Sequence, residues 1–158
     1  NEIFEYFEEH KLVDKLRKGA IFKITGGEPL VQQKQLLKFM EAFIKKYNHH
    51  PVIDFETNAT IQPDEKSYKP EVLKWHRETG SGFKFVITSD KDINEIWRKY
   101  VDDKTISIPK NRIWFMPCCG SRQEHIERAP AVAEYAKAMD VNFSPRLHLL
   151  IWDMALKV

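Results

Sequence analysis

The chain has 158 residues, 42% of them hydrophobic and 12% aromatic, with a formal net charge of +2. That length buries a core of ordinary size, and the apolar content excludes a disordered chain. The near-neutral balance gives no reason to expect nucleic acid or an anionic membrane as a partner, and no apolar run approaches the roughly 18 residues of a membrane span. One domain over residues 1–158 is expected. The first residues, Asn1-Glu2-Ile3-Phe4-Glu5, are acidic and aromatic, unlike a signal peptide, so a cytoplasmic protein is expected.

In chain order, Ile3, Phe4, Phe7, Leu12, Val13 and Leu16 recur at an approximately helical period that Gly19 stops. Residues 20–25 read as a short strand. Thr25-Gly26-Gly27-Glu28-Pro29 then reads as a tight turn into a helix. Two adjacent glycines let a ligand reach the backbone with no Cβ in the way, and Pro29 fixes the exit direction. Glu28 sets a carboxylate beside that bare backbone. A small zwitterion suits such a place, because its ammonium meets carbonyls and Glu28. A phosphate wants amide donors and no adjacent carboxylate, so a phosphate loop is the weaker reading.

Residues 31–47 predict an amphipathic helix with Leu36, Leu37, Met40, Phe43, Ile44 and Tyr47 on one face, a core stripe. Asn48-His49-His50-Pro51 ends it. Adjacent histidines converge poorly on one ion, so a solvated loop outweighs a metal site there. Residues 52–57 form a second strand, with the polar run Glu56-Thr57-Asn58-Ala59-Thr60 at its C-terminal end, the place where parallel α/β folds keep their chemistry.

Residues 70–79 predict a helix with Pro70 in its first turn and Gly80 past its end. Residues 83–88 are a third strand, in which Lys84 either faces a ligand or snorkels to an edge. Ser89 or Asp90 caps a helix whose apolar face is Ile93, Ile96, Trp97, Tyr100 and Val101. Residues 113–116 are a fourth strand closed by Pro117. The adjacent pair Cys118-Cys119 follows in a loop, too close in sequence for an easy disulfide. Ser121 and Glu124 make a capping-box pattern for a helix that runs to Met139, with Pro130 expected to break or kink it. Its packing stripe is expected to be Ile126, Ala129, Val132, Ala133 and Ala136. The last apolar run, 147–152 after Ser144-Pro145-Arg146, alternates as a strand apolar on both faces, with His148 within it.

Gly26-Gly27-Glu28-Pro29 at a strand end resembles the GGEP motif of radical S-adenosylmethionine (SAM) enzymes. Glu56-Thr57-Asn58-Ala59-Thr60 is similar to the ETNGT segment of one branch, the 7-carboxy-7-deazaguanine synthases, with Ala59 in place of the usual glycine. Ser144-Pro145-Arg146-Leu147-His148 resembles the segment before that branch's last strand. The three motifs stand in the family's order across essentially the whole chain. Two family features are absent from this sequence. One is the Cys-x3-Cys-x2-Cys cluster motif, which lies N-terminal to GGEP in the family; the other is a Ser-Pro-Lys segment, expected near 64–66.

The resemblance implies an incomplete, open (β/α) TIM-type barrel rather than a doubly wound sheet, with the first strand and cluster loop N-terminal to residue 1. It implies a lyase that contracts 6-carboxy-5,6,7,8-tetrahydropterin to 7-carboxy-7-deazaguanine with loss of ammonia, in 7-deazapurine and queuosine biosynthesis. The implied cofactors are SAM, a [4Fe-4S] cluster and Mg2+. The implied partners are the pterin substrate, a second copy of the chain and a reductant such as flavodoxin, with no membrane and no direct nucleic acid. By the same resemblance Gly26, Gly27 and Glu28 hold the methionyl end of SAM, Asn58 binds SAM or the pterin, and Met116 packs by the adenine. Thr25, His148 and Arg146 contact the substrate, and Glu56 stands at the reacting carbon. The alternatives are another radical SAM enzyme such as an activase, or a SAM-binding remnant without the cluster.

Overall fold

The computed structural model describes residues 2–57, 77–104 and 107–154. Two short helices, α1 (Glu2–Glu9) and α2 (Leu12–Arg17), precede strand β1 (Phe22–Ile24). A 3-10 turn (Pro29–Gln32) leads into α3 (Gln33–Tyr47), and β2 (Ile53–Thr57) follows. Next come β3 (Gly82–Ile87), α4 (Asp90–Ile96) with a π turn (Trp97–Val101) continuing it, and β4 (Ile113–Pro117). The chain closes with α5 (Arg122–Met139), β5 (Asn142–Phe143) and α6 (Leu147–Trp152). Among the described residues no helix is long and apolar enough to cross a membrane.

The five strands make one parallel sheet in the order β1-β2-β3-β4-β5. Each strand lies beside its successor, so the winding never reverses, whereas a doubly wound sheet reverses at a switch point. The sheet is open: β1 and β5 are its two edges. All C-terminal strand ends point the same way. That brings the turn at Gly26-Gly27, the end of β2 and the loops after β3, β4 and β5 to one rim.

Period-2 alternation divides the strands into two faces. Ile53, Phe55, Phe83, Phe85, Ile113 and Phe115 are fully buried on one face. Met40 of α3, Ile93 and Ile96 of α4, Tyr100 of the π turn, and Val132 and Ala136 of α5 cover them. Phe55 and Phe83 stack at 5.5 Å between centroids. A buried aromatic of this kind contributes on the order of 2–3 kcal/mol. The other face is polar: Lys23 on β1, Asp54 and Glu56 on β2, Lys84 on β3, Trp114 and Met116 on β4.

Local capping follows the sequence. At the start of α4, Asp92 Oδ2 accepts from the N–H groups of Thr88 (2.7 Å) and Ser89 (2.9 Å). At the start of α5, Ser121 Oγ accepts from Glu124 N–H at 3.2 Å, and Glu124 in turn accepts from Gly120 N–H at 2.6 Å.

Three expectations are corrected. Pro130 neither breaks nor ends α5, which runs unbroken from Arg122 to Met139. The intrahelical bond that Pro130 forfeits is to the carbonyl of Ile126, and both residues lie on the solvent side, Ile126 being 54% exposed. The Ile126 carbonyl on that side is open to solvent, so the lost bond costs little. The packing stripe is accordingly His125, Val132 and Ala136, without Ile126. Finally, residues 147–152 form the helix α6 and not a strand. The Ser144 N–H gives the last ladder bond, to Phe115 O at 2.8 Å, and Pro145 cannot donate the next one. An all-apolar, leucine-rich run is ambiguous by period, and once the ladder stops helix propensity decides. Only Leu149 of this run is buried; Leu147, Ile151 and Trp152 are exposed. The predicted helix at 70–79 and the seam near 64–66 fall largely or wholly outside the described residues.

Candidate functional site

At the rim, the turn after β1 and the end of β2 are cross-linked reciprocally. Thr25 Oγ1 donates to Glu56 Oε2 at 3.2 Å, and Thr57 Oγ1 donates to Glu28 Oε1 at 2.6 Å. Each of the first two motifs thus supplies a threonine hydroxyl to the other's glutamate. Parallel pairing of β1 with β2, Ile24 opposite Phe55, sets the two motifs level. Thr57 is buried, so its hydroxyl has little access to water, while Glu28 and Glu56 are half-buried.

Gly26 and Gly27 take φ of +89° and +57°, values that L side chains rarely adopt, and nothing lies within 4 Å of where either Cβ would be. Both are exposed. The turn is therefore a backbone shelf open to a ligand, with Glu28 beside it. Its chemistry, backbone carbonyls and the Glu28 carboxylate, fits an ammonium group such as the methionyl end of SAM.

Lys23 Nζ donates to Glu56 Oε1 at 2.8 Å. Burial raises the Glu56 carboxyl, but the bonds and charge of Lys23, the Thr25 hydroxyl and the charge of Lys84 outweigh it and leave Glu56 below its ordinary value. The hydrogen bond to Glu56 pushes Lys23 up against the cost of burial. Lys84, opposite Glu56 in the β2–β3 register, is pushed down by burial and then by the charge of Lys23. Among the described residues no carboxylate closes to ion-pair distance on Lys84. The sequence left Lys84 between two roles; it lies on the polar face beside Glu56.

The other expected positions separate. Met116 is buried on the polar face of β4, opposite Val86. Arg146 Nη1 donates to Cys119 O at 2.7 Å, and its backbone N–H donates to His125 Nε2 at 3.0 Å. The contact that Arg146 makes is thus a tie between the loops after β4 and β5. His125 accepts at Nε2, so Nδ1 carries its proton; burial, then the charges of Arg146 and His148, holds it below the usual histidine value. His148 is exposed on α6. Asn58 lies outside the described residues.

Among the described residues no three His, Cys, Asp or Glu groups converge as a metal site. The sequence holds two cysteines. These residues do not fit a [4Fe-4S] cluster, which takes three thiolates, and they offer no Mg2+ cage. An apolar groove of about 560 Å³ runs between α1, β1 and α3, lined by Ile3, Phe7, Phe22, Ile24, Leu36 and Phe39. Its walls are hydrocarbon save for Gln35 and a rim at Lys23 and Thr25, so the titratable groups gather on the other face.

Sequence reasoning missed Lys23, Asp54, Trp114 and His125. A signal for the first two was present: Phe22-Lys23-Ile24-Thr25, Ile53-Asp54-Phe55-Glu56 and Phe83-Lys84-Phe85 all alternate apolar with polar, which predicts one charged face across three adjacent strands.

No family model matches the chain, and no solved structure matches it. Two curated proteins do, both named 7-carboxy-7-deazaguanine synthase. That of Hyperthermus butylicus is 28% identical over 159 residues, and that of Pyrobaculum aerophilum is 25% identical over 150. Each match covers 84% of this chain and 65% of the relative, so the chain spans less than two thirds of the length of the curated relatives it matches. With the cross-linked motifs in the order the resemblance requires, the chain is a homologue of proteins named 7-carboxy-7-deazaguanine synthase.

Proposed function

We propose that this chain is the SAM- and substrate-binding part of a radical SAM carbon–nitrogen lyase that converts 6-carboxy-5,6,7,8-tetrahydropterin to 7-carboxy-7-deazaguanine. The observation that carries the reading is the reciprocal pair Thr25–Glu56 and Thr57–Glu28, which joins two family motifs at one rim. The names of both homologues agree with it. In this reading the open sheet is an arc of a (β/α) barrel, its polar face turned inward.

When bound, SAM supplies the adenosyl radical that this reaction class uses to take a substrate hydrogen. The chain's own residues bind and orient. The Gly26-Gly27 shelf takes the methionyl ammonium against Glu28, whose direction Thr57 fixes. Glu56, kept anionic by Lys23, holds or exchanges a proton at the pterin ring. Thr25 donates to Glu56 and closes one wall of the substrate site; Met116 packs at the adenine. Asn58, His148 and Arg146 complete the proposed set. The two cysteines of this chain are too few for the three thiolates of the iron–sulfur cluster. A second copy of the chain, a protein reductant and a cytoplasmic setting belong to the same proposal.

The test is anaerobic incubation of the reductively activated enzyme, this chain together with the segment that supplies the cluster thiolates, with SAM and 6-carboxytetrahydropterin, with product read by mass spectrometry. The proposal expects 7-carboxy-7-deazaguanine from the wild type and its loss in Glu56→Gln with SAM affinity retained. SAM cleavage with no consumption of the pterin would instead indicate a different radical SAM substrate.

A further inference from the structure

The polar face carries a feature that the motifs do not explain. Gly82 on β3 sits under the indole of Trp114: a Cβ added to Gly82 would lie 2.7 Å from Trp114 Cζ3 and 3.3 Å from Cη2, and 2.6 Å from Asp54 Oδ1. In register Trp114 faces Lys84, and Gly82 is two residues earlier on the same strand. Such a diagonal neighbour is about 7–8 Å away, roughly the full reach of a tryptophan side chain. The indole therefore lies along the sheet instead of standing off it, and glycine is the residue that permits this. Trp114 is half-buried. Beside it Lys84 closes no direct ion pair among the described residues, although the charges of Asp54 and Glu56 reach it, and Glu56 stands one strand further on.

We infer that Trp114 and Lys84 form a ring-and-carboxylate subsite that selects a heterocycle with a planar pyrimidine half and a carboxylate, as in a 6-carboxypterin at either oxidation level. The indole, seated on Gly82, is the surface against which the ring rests. Lys84 meets the ring's carboxylate in a direct ion pair, which neither Asp54 nor Glu56 forms with it, and Glu56 accepts from the N–H edge of the ring. A planar ring with hydrogen-bonding edges stacks on an aromatic side chain without needing base-specific contacts. The low-dielectric face, which pushes the lysine toward its neutral form, makes an arriving anion worth more to it than in open water. This inference rests on the pterin reading above and adds which residues decide the choice of ring and of carboxylate.

Calorimetric titration of the protein with 6-carboxypterin and with unsubstituted pterin tests it, on the wild type, Trp114→Phe, Trp114→Leu and Lys84→Met, each checked for native circular dichroism. The expected results are affinity for 6-carboxypterin close to wild type in W114F and a fall of roughly 5- to 100-fold in W114L, from the stacking energies of aromatic side chains under planar rings. K84M is expected to lose the wild type's preference for 6-carboxypterin over pterin. W114L within about twofold of wild type, or K84M keeping the preference, overturns the subsite. Wild-type protein that binds neither probe overturns the pterin reading itself, and this inference with it. K84M alters one side chain at the half-exposed surface, so it decides the carboxylate half even where W114L fails to fold.

Discussion

Thr57→Val removes one hydroxyl and keeps the shape of the side chain. In the folded protein that hydroxyl is buried and donates to Glu28 Oε1 at 2.6 Å, a charge-assisted bond. Such bonds contribute about 1.5–3 kcal/mol when both ends are shielded. Glu28 is half-buried, so water recovers part of the loss, and a cost of about 1–2 kcal/mol is expected. For a chain of this size that lowers Tm by roughly 2–8 °C. Because the same bond aims Glu28 at the Gly26-Gly27 shelf, T57V should also weaken SAM binding, whereas Thr57→Ser, which keeps the donor, should weaken it less. Thermal melting by circular dichroism and calorimetric titration of SAM measure the two effects. A T57V protein that melts within about 1 °C of wild type and binds SAM equally would refute the argument that this cross-link builds the site.

Three further expectations follow from the same geometry. A double-mutant cycle on Lys23→Met and Glu56→Gln should give a coupling of only about 0.5–1 kcal/mol, because the side chains are 44% and 25% exposed. Glu56 is lowered, so its share is present above the ordinary carboxylate value of 4.5 and lost as pH falls through its folded value; Lys23 is raised, so its share is present below 10.5 and lost as pH rises past its folded value. A coupling measured by urea denaturation that vanishes near neutral pH would contradict the pairing. Pro130→Ala restores a donor inside a continuous helix at an exposed position and should raise stability by about 1–3 kcal/mol; a lower Tm would mean that the proline is favoured by its neighbours. His148→Ala, on the exposed side of α6, should leave Tm within about 1 °C yet cut product formation at least about tenfold, and an unchanged rate removes His148 from the substrate site.

The parallel sheet was legible because short apolar strands are separated by helix-length segments; its sequential order was expected from the resemblance, since a doubly wound sheet has the same alternation. The rim was legible too, since Gly26-Gly27 follows a strand and Glu56-Thr57 ends one. The pairing of Thr25 with Glu56 was not: it depends on the β1–β2 register, which no single strand encodes. Lys23 escaped notice because its signal lies in comparing Phe22-Lys23-Ile24-Thr25 with the alternation of the next two strands, and not in its own short strand alone. The C-terminal run was misread as a strand because Leu147, Leu149 and Ile151 alternate whether or not a ladder is there to hold them. What ends the ladder is Pro145, and its effect is felt only against β4. His125 was passed over since the stripe was counted from Ile126, one position around the helix; burial at 125, 132 and 136 shows the true phase.

Hydrogen–deuterium exchange of the protein with and without SAM tests the central claim most directly. Opening at the rim is local, so a ligand seated on the glycine shelf slows exchange there and little elsewhere. SAM-dependent protection is expected to concentrate in residues 25–28 and at the end of β2, and to weaken in T57V. Saturating SAM that leaves both stretches unchanged, or that protects only distant segments, would contradict the assignment of this rim as the cofactor site.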